Sequence, residues 1–251
     1  MKKKNYISGT YAFGTDIGKV RLTNEDRAIA LTNIKGNILM LICDGMGGAN
    51  KGDYAASIAI KLISDAFIDK QKFLNRFMAA KWVMDIIKKA NIAIYEEAQK
   101  NKIYEGMGTT LTLVLIMSNH LITAQIGDSR AYVIDEKEIC QITEDQTYVA
   151  YLYRTGKITK KEMRTHPRRH VLTNALGIFP SVNFDFKMTT YLNENILVCS
   201  DGLYNNVEEN AILTILQSDD TTEQKINELI ALANANGGSD NIAAVLWEAS
   251  K

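Results

Sequence analysis

Proline and cysteine are scarce: the 251 residues hold two prolines, Pro167 and Pro180, and three cysteines. Neither proline marks an interdomain linker. Cys43, Cys140 and Cys199 are odd in number and far apart, which argues against a disulfide framework or a zinc site. Cys43 and Cys199 fall inside apolar runs, where a free thiol acts as a small buried hydrophobe. A reducing cytoplasm is the expected setting. Net charge is also missing, with 29 Lys and Arg against 29 Asp and Glu. No global field therefore recruits nucleic acid or an anionic membrane. No apolar run approaches the length of a membrane span. Lys2-Lys3-Lys4 has no apolar stretch after it, which argues against a signal peptide. The aromatic residues form no stacking platform beside a basic stripe, so nucleic acid is not an expected partner.

What is present centres on Ile38-Leu39-Met40-Leu41-Ile42-Cys43-Asp44-Gly45-Met46-Gly47-Gly48. A buried-strand run ends abruptly in an acid, and glycines follow. Buried charge is costly unless it is paired or binds a metal. The pattern recurs where Leu121–Ile126 meets Gly127-Asp128-Ser129-Arg130 and where Ile196–Cys199 meets Ser200-Asp201-Gly202. It runs in reverse where Asn24-Glu25-Asp26 precedes Arg27–Leu31 and Ser239-Asp240-Asn241 precedes Ile242–Trp247. In antiparallel pairs the start of one strand lies beside the end of its neighbour. All these acids can then crowd one edge, where divalent cations would relieve their repulsion.

A first strand is expected over Thr10–Thr15, others over Arg27–Leu31 and Ile38–Cys43, and helices over about 51–67 and 80–100. Strands follow to Met117, over Leu121–Ile126, and as a hairpin from Ala131–Ile134 to Ile139–Ile142 around Asp135-Glu136-Lys137. Residues of about 143–181 are polar and basic and read as an inserted flap with two short helices. Strands resume near 182–190 and 194–199, helices near 208–216 and 222–235, and the last strand is 241–247. Grouped strands interrupted by grouped helices favour an α+β fold, two packed antiparallel sheets with helices outside. One domain over 1–251 is plausible.

Acidic side chains and backbone carbonyls are hard ligands that suit Mg²⁺ or Mn²⁺. Two such ions about 3.5–4 Å apart could share one carboxylate and one bridging water, with a phosphoryl group as the natural target. Arg21, four residues before Glu25, offers a planar fork for phosphate oxygens; the bland alternative is a surface arginine paired with Asp26. Asn24 and Asn241 read as groups that orient neighbouring acids and turns. His120 sits in a turn. His166 and His170 flank Arg168-Arg169, a cluster that either reads phosphopeptide acidity or is ordinary basic surface. Gly14-Thr15-Asp16-Ile17-Gly18-Lys19 is one residue short of a P-loop and has Val20 where Ser or Thr is needed.

Taken in order, Asp16 to Asp26, Asp44-Gly45-Met46-Gly47-Gly48, Met107-Gly108-Thr109-Thr110, Gly127-Asp128-Ser129-Arg130, Ser200-Asp201-Gly202 and Gly238-Ser239-Asp240-Asn241 resemble the motifs of the metal-dependent, type-2C (PPM) protein phosphatases. The flap resembles theirs at Thr155–Thr159, His166–Arg169 and Leu172–Gly177. The bacterial branch fits best. The resemblance implies a four-layer α-β-β-α sandwich carrying a flap. It implies that Asp44 bridges two catalytic metals, Gly45 gives its carbonyl to one, and Asp201 and Asp240 hold the other. Glu25 and Asp26 would bind metal directly or through waters. Asp128 with Asp201 would hold a third ion, and Arg21 would clamp the substrate phosphate. The implied reaction is hydrolysis of phosphoserine and phosphothreonine proteins by in-line attack of a metal-bridging hydroxide. A cognate Ser/Thr kinase is the partner that family analogy suggests, and a monomer is the default. Two departures stand out. Met46 replaces the His that eukaryotic members carry as proposed general acid, which leaves a metal-bound water as the expected proton source. Asp145-Gln146-Thr147 stands where bacterial relatives commonly have Asp-His-Ser.

Overall fold

The computed structural model describes residues 7–47, 51–70, 72–135 and 138–250. Lys2-Lys3-Lys4, Gly48 and the hairpin tip Glu136-Lys137 lie outside the described residues. Among the described residues, eleven strands and seven α-helices run in the order β1 (Gly9–Asp16), β2 (Asp26–Thr32), β3 (Ile38–Met46), α1 (Lys51–Ile68), α2 (Arg76–Lys100), β4 (Gly108–Thr109), β5 (Leu111–Met117), β6 (His120–Ile126), β7 (Arg130–Ile134), β8 (Ile139–Gln141), α3 (Tyr148–Arg154), α4 (Lys160–Thr165), β9 (Asp185–Thr190), β10 (Asn195–Cys199), α5 (Asp201–Tyr204), α6 (Glu209–Leu216), α7 (Thr222–Ala235) and β11 (Ile242–Ala249).

Two antiparallel sheets form, in the orders β1-β11-β10-β7-β8 and β2-β3-β5-β6-β9, with β4 paired to the end of β3. Strand β3 shows how the layers arise. Alternate side chains of a strand point to opposite faces. Leu39, Leu41 and Cys43 face α1 and α2, whereas Ile38, Met40 and Ile42 meet Ala243, Val245 and Trp247 of the other sheet. Both faces are covered, so the strand reads as an unbroken apolar run and not as an alternation. A third apolar cluster joins the outer face of β10 and β11 to α5, α6 and α7. The result is the expected α-β-β-α sandwich. Inside it, the Trp247 indole N–H donates to the Tyr191 hydroxyl at 2.7 Å, so the one polar group of a buried ring is satisfied.

Helix α2 begins at Arg76, four residues ahead of the expected start. Asn75 caps it by accepting a hydrogen bond from the Met78 N–H at 3.0 Å. Its first turn carries the exposed side chains of Phe77 and Met78, which obscure the helical period. His120, expected in the turn, is the first residue of β6 and is partly buried. All three cysteines are free, with Cys43 and Cys199 buried and Cys140 exposed. Among the described residues no helix is long and apolar enough to cross a membrane.

Candidate functional site

The strand register delivers the acids to one end of both sheets. Asp26 opens β2 directly opposite Asp44 near the end of β3. Asp201 follows β10, Asp240 precedes β11, and Asp128 follows β6. Ser200 joins the sheets. Its hydroxyl donates to Asp26 Oδ2 at 2.6 Å and accepts from the Ala243 N–H at 2.9 Å. The other oxygen of Asp26, Oδ1, is buried without a hydrogen-bond partner among the described residues. The Asp26 and Asp44 carboxyls come close enough to share a proton, but as two carboxylates neither can donate to the other.

Asp44 is held by its backbone. Its N–H donates to the Thr110 hydroxyl at 2.9 Å, and its carbonyl accepts from the Thr110 N–H at 2.8 Å and the Thr109 hydroxyl at 3.0 Å. The Thr110 hydroxyl lies 3.2 Å from that of Ser129, which ties the Asp128 loop to the same point. Tyr204, at the end of α5, donates its hydroxyl to the Asp128 carbonyl at 3.1 Å, linking the Asp128 and Asp201 segments. Asn241 does the orienting work expected of it. Its Oδ1 accepts from the Glu25 N–H at 2.9 Å, and its Nδ2 donates to the carbonyls of Ile17 and Thr23, both at 2.9 Å. That grip shapes the loop bearing Arg21.

Two close backbone approaches require glycine. A Cβ on Gly45 would overlap the carbonyl of Gly52 at the start of α1, and one on Gly202 would overlap the Asn241 carbonyl oxygen. Gly202→Ala is therefore expected to cost on the order of 3 kcal/mol, because backbone must move to admit the methyl. Denaturant unfolding of the variant checks this; an unchanged midpoint would refute the contact.

The electrostatics are one-sided. Burial, then the charges of Asp26, Asp201, Asp128 and Asp240, hold the Asp44 carboxyl well above the usual carboxylate range. Burial is the main cause for the other two as well: Asp26 is pushed up to about 7 and Asp128 to about 8. Arg21 is the cation at the mouth. Its guanidinium donates to Asp240 Oδ2 at 2.7 Å, so its carboxylate partner is Asp240 and not Asp26. The side chain is 56% exposed, and a guanidinium has five N–H donors, so it retains capacity for a phosphate.

Such a set fits hard divalent cations. An orphaned carboxylate oxygen and several buried acids that resist joint ionisation are what a bound cation would relieve. Among the described residues no group of three or more His, Cys, Asp or Glu side chains is placed closely enough to hold a metal ion as the side chains stand.

The flap anchors tightly beside this edge. Gln146 accepts from the Gly127 N–H at 3.1 Å through Oε1, donates its own N–H to the Gly127 carbonyl at 2.9 Å, and receives Asn174 Nδ2 at 3.0 Å. Asp145 takes a two-pronged contact from Arg130, with the nearest pair at 2.7 Å, and Arg130 lies over the Tyr204 ring at 3.6 Å. Thr147 caps α3 by accepting from the Ala150 N–H. Asp145-Gln146-Thr147 is thus a structural brace for the Asp128 loop. His170, in the cluster read either as a phosphopeptide reader or as basic surface, is about half exposed and places Nδ1 3.8 Å from Asp201 Oδ2. His166, at the end of α4, accepts from the Arg168 N–H at 3.0 Å through Nδ1.

Known proteins share this fold. The chain is 36% identical over 239 residues to the serine/threonine phosphatase stp of Listeria monocytogenes, with 94% of each chain covered. The crystal structure of serine/threonine phosphatase Stp1 from Staphylococcus aureus superposes with a TM-score of 0.91 at 33% identity, covering 97% of this chain and 96% of that one. The catalytic domain of serine threonine protein phosphatase PstP, solved with two manganese ions, superposes at a TM-score of 0.85 and 31% identity, covering 96% and 98%. A family model described as Protein phosphatase 2C matches residues 14–246, and the chain belongs to that family.

Proposed function

We propose that this chain is a metal-dependent serine/threonine protein phosphatase, a single catalytic domain with a flap over about 143–181. One observation carries the reading: Asp44 sits partly buried, opposite Asp26, within the field of four other carboxylates drawn from distant parts of the chain. Asp44, Gly45, Asp201 and Asp240 would hold two Mg²⁺ or Mn²⁺ ions. Asp128 with Asp201 would hold a third, and Glu25 and Asp26 would bind directly or through waters. When bound, the ions acidify water and neutralise charge on the phosphoryl oxygens.

The chain's own residues do the rest. Arg21 stands where a phosphate dianion can reach both the acid cluster and a free edge of the guanidinium. Asp240 orients that guanidinium, and Asn241 fixes the loop behind it. Thr109 and Thr110 hold the Asp44 backbone from both sides, so its carboxyl keeps one position through turnover. Met46 brings no ionisable proton to the leaving oxygen.

Release of phosphate from a phosphothreonine peptide with Mn²⁺, measured against free nucleotides and against a chelated control, tests the assignment. Preference for the nucleotides would replace the protein phosphatase with a small-ester hydrolase. No metal-dependent release from any of them would reduce the chain to a binding module. Arg21→Ala is expected to raise KM roughly tenfold or more with a smaller change in kcat, because a charged hydrogen bond to ground-state phosphate is lost. Steady-state kinetics with p-nitrophenyl phosphate read this directly, and an unaltered KM would remove Arg21 from the clamp.

A further inference from the structure

The chain is neutral as a whole, but its charge is not evenly spread. Between residues 146 and 184 there are seven Lys and Arg against one acid, Glu162. That acid is consumed locally, since its carboxylate accepts from the Thr159 N–H at 2.7 Å in the capping box of α4. Two of the cations are also engaged: Arg154 pairs with Glu144 at 3.6 Å, and Lys157 lies over the Tyr151 ring. Arg168 rests over Tyr148, 5.7 Å from the ring centre. Lys160, Lys161, Arg164 and Arg169 are exposed and make no ion pair among the described residues.

The Arg169 end of this basic stretch adjoins the acid cluster. Arg169 is the chain neighbour of His170, whose Nδ1 is 3.8 Å from Asp201. The segment is pinned there by the Tyr148 N–H, which donates to the Val171 carbonyl at 2.8 Å, and by the bridge between Thr147 and Leu172. A peptide whose phosphorylated residue enters at Arg21 and the acids has Arg169 beside it for its flanking residues, and α4 ends four residues earlier in the chain. The rings of Tyr148 and Tyr151 already carry Arg168 and Lys157, so they offer no bare platform for stacked bases.

We infer that the face carrying Arg169, Lys160, Lys161 and Arg164 is a docking surface that selects phosphopeptides with acidic residues flanking the phosphorylated one. The inference rests on the phosphatase reading and adds the substrate class to it. The acids of the metal cluster would repel such flanks, so the rim both attracts the acidic chain and sets where it lies.

The test uses the full chain with Mn²⁺ and two phosphothreonine peptides that differ only in their flanks, Asp and Glu in one, Gln and Ala in the other. The acidic peptide should show about tenfold higher kcat/KM at low salt, falling toward parity at high salt as the rim is screened. Arg169→Glu, and separately Lys160→Glu with Lys161→Glu, should abolish that preference. Turnover of p-nitrophenyl phosphate, which is too short to reach the rim, reports whether each variant is folded. An equal preference in wild type and variants, or none in wild type, overturns the docking surface. Fluorescence anisotropy of the same peptides reads docking without turnover. Acidic preference in binding with no hydrolysis sinks the phosphatase reading alone, whereas hydrolysis with no acidic preference sinks the docking surface alone. A single-stranded oligonucleotide that binds more tightly than the acidic peptide and loses affinity in the variants also overturns it.

Discussion

Asp44→Asn is expected to lower kcat by roughly a thousandfold or more, the scale on which losing a principal electrostatic element acts. The same variant should be more stable than wild type in metal chelator near pH 8. Asp44 is partly buried, faces Asp26 across the β2–β3 pair, and feels Asp201, Asp128 and Asp240. Its charge is costly to the folded chain when no cation balances it. Asparagine keeps the shape and the backbone grip of Thr109 and Thr110 but removes the charge. A site that trades stability for function shows this opposition. A purely structural Asp44 predicts the reverse pair of results, with stability lost and turnover retained in whatever protein folds. Phosphate release and a thermal melt, run on the same preparation with and without Mn²⁺, separate the two.

Much of this centre is written in local sequence, and the part that is not has a common cause. Asp26, Asp44, Asp128, Asp201 and Asp240 each stand where an apolar strand starts or stops, so their presence at a sheet edge follows from pattern alone. Antiparallel pairing then collects them. The groups that fix their positions carry no such signal. Ser200 reaches Asp26 across 174 residues of chain, Tyr204 reaches the Asp128 carbonyl across 76, and Thr110 reaches Asp44 across 66. A serine, a tyrosine and a threonine at those places look like any turn or core residue until the sheets stack. Helix α5 was also beyond reach, because four residues cannot display a helical period. The layering of the strands was legible only in part. β3 is apolar throughout, and which of its side chains meet the helices and which meet the other sheet depends on both faces being covered. Gln146 is the clearest case of a residue whose role runs against its look. A polar side chain in a polar segment proves to knot Gly127, Asn174 and Asp185 together, with Asp185 at 2.9 Å.

The melting temperature of the metal-free protein should fall as pH rises from about 5.5 to about 8.5, on the order of 10 °C, and divalent cation should erase the fall. The sign follows from the direction of the shifts. A carboxyl has its ordinary value near 3.8 in the unfolded chain, whereas burial lifts Asp26 to about 7 and Asp128 to about 8 in the folded one. Groups raised on folding contribute stability that is fully present below the unfolded value and is lost as pH climbs through the folded value. The window of loss therefore runs from about 4 to about 8, and its upper part is clear of acid unfolding. Cations compete with the same protons, so Mn²⁺ should bind more tightly at the top of the window than at the bottom. Ligand at a hundredfold excess over its Kd adds about 2.7 kcal/mol per site, enough to reverse much of the slope when two ions bind. Melts in chelator and in Mn²⁺ across this range decide the matter. A metal-free midpoint that is flat or rises with pH would mean that these acids are relieved within the protein itself, and the case for cations at this edge of the sandwich would lose its physical ground.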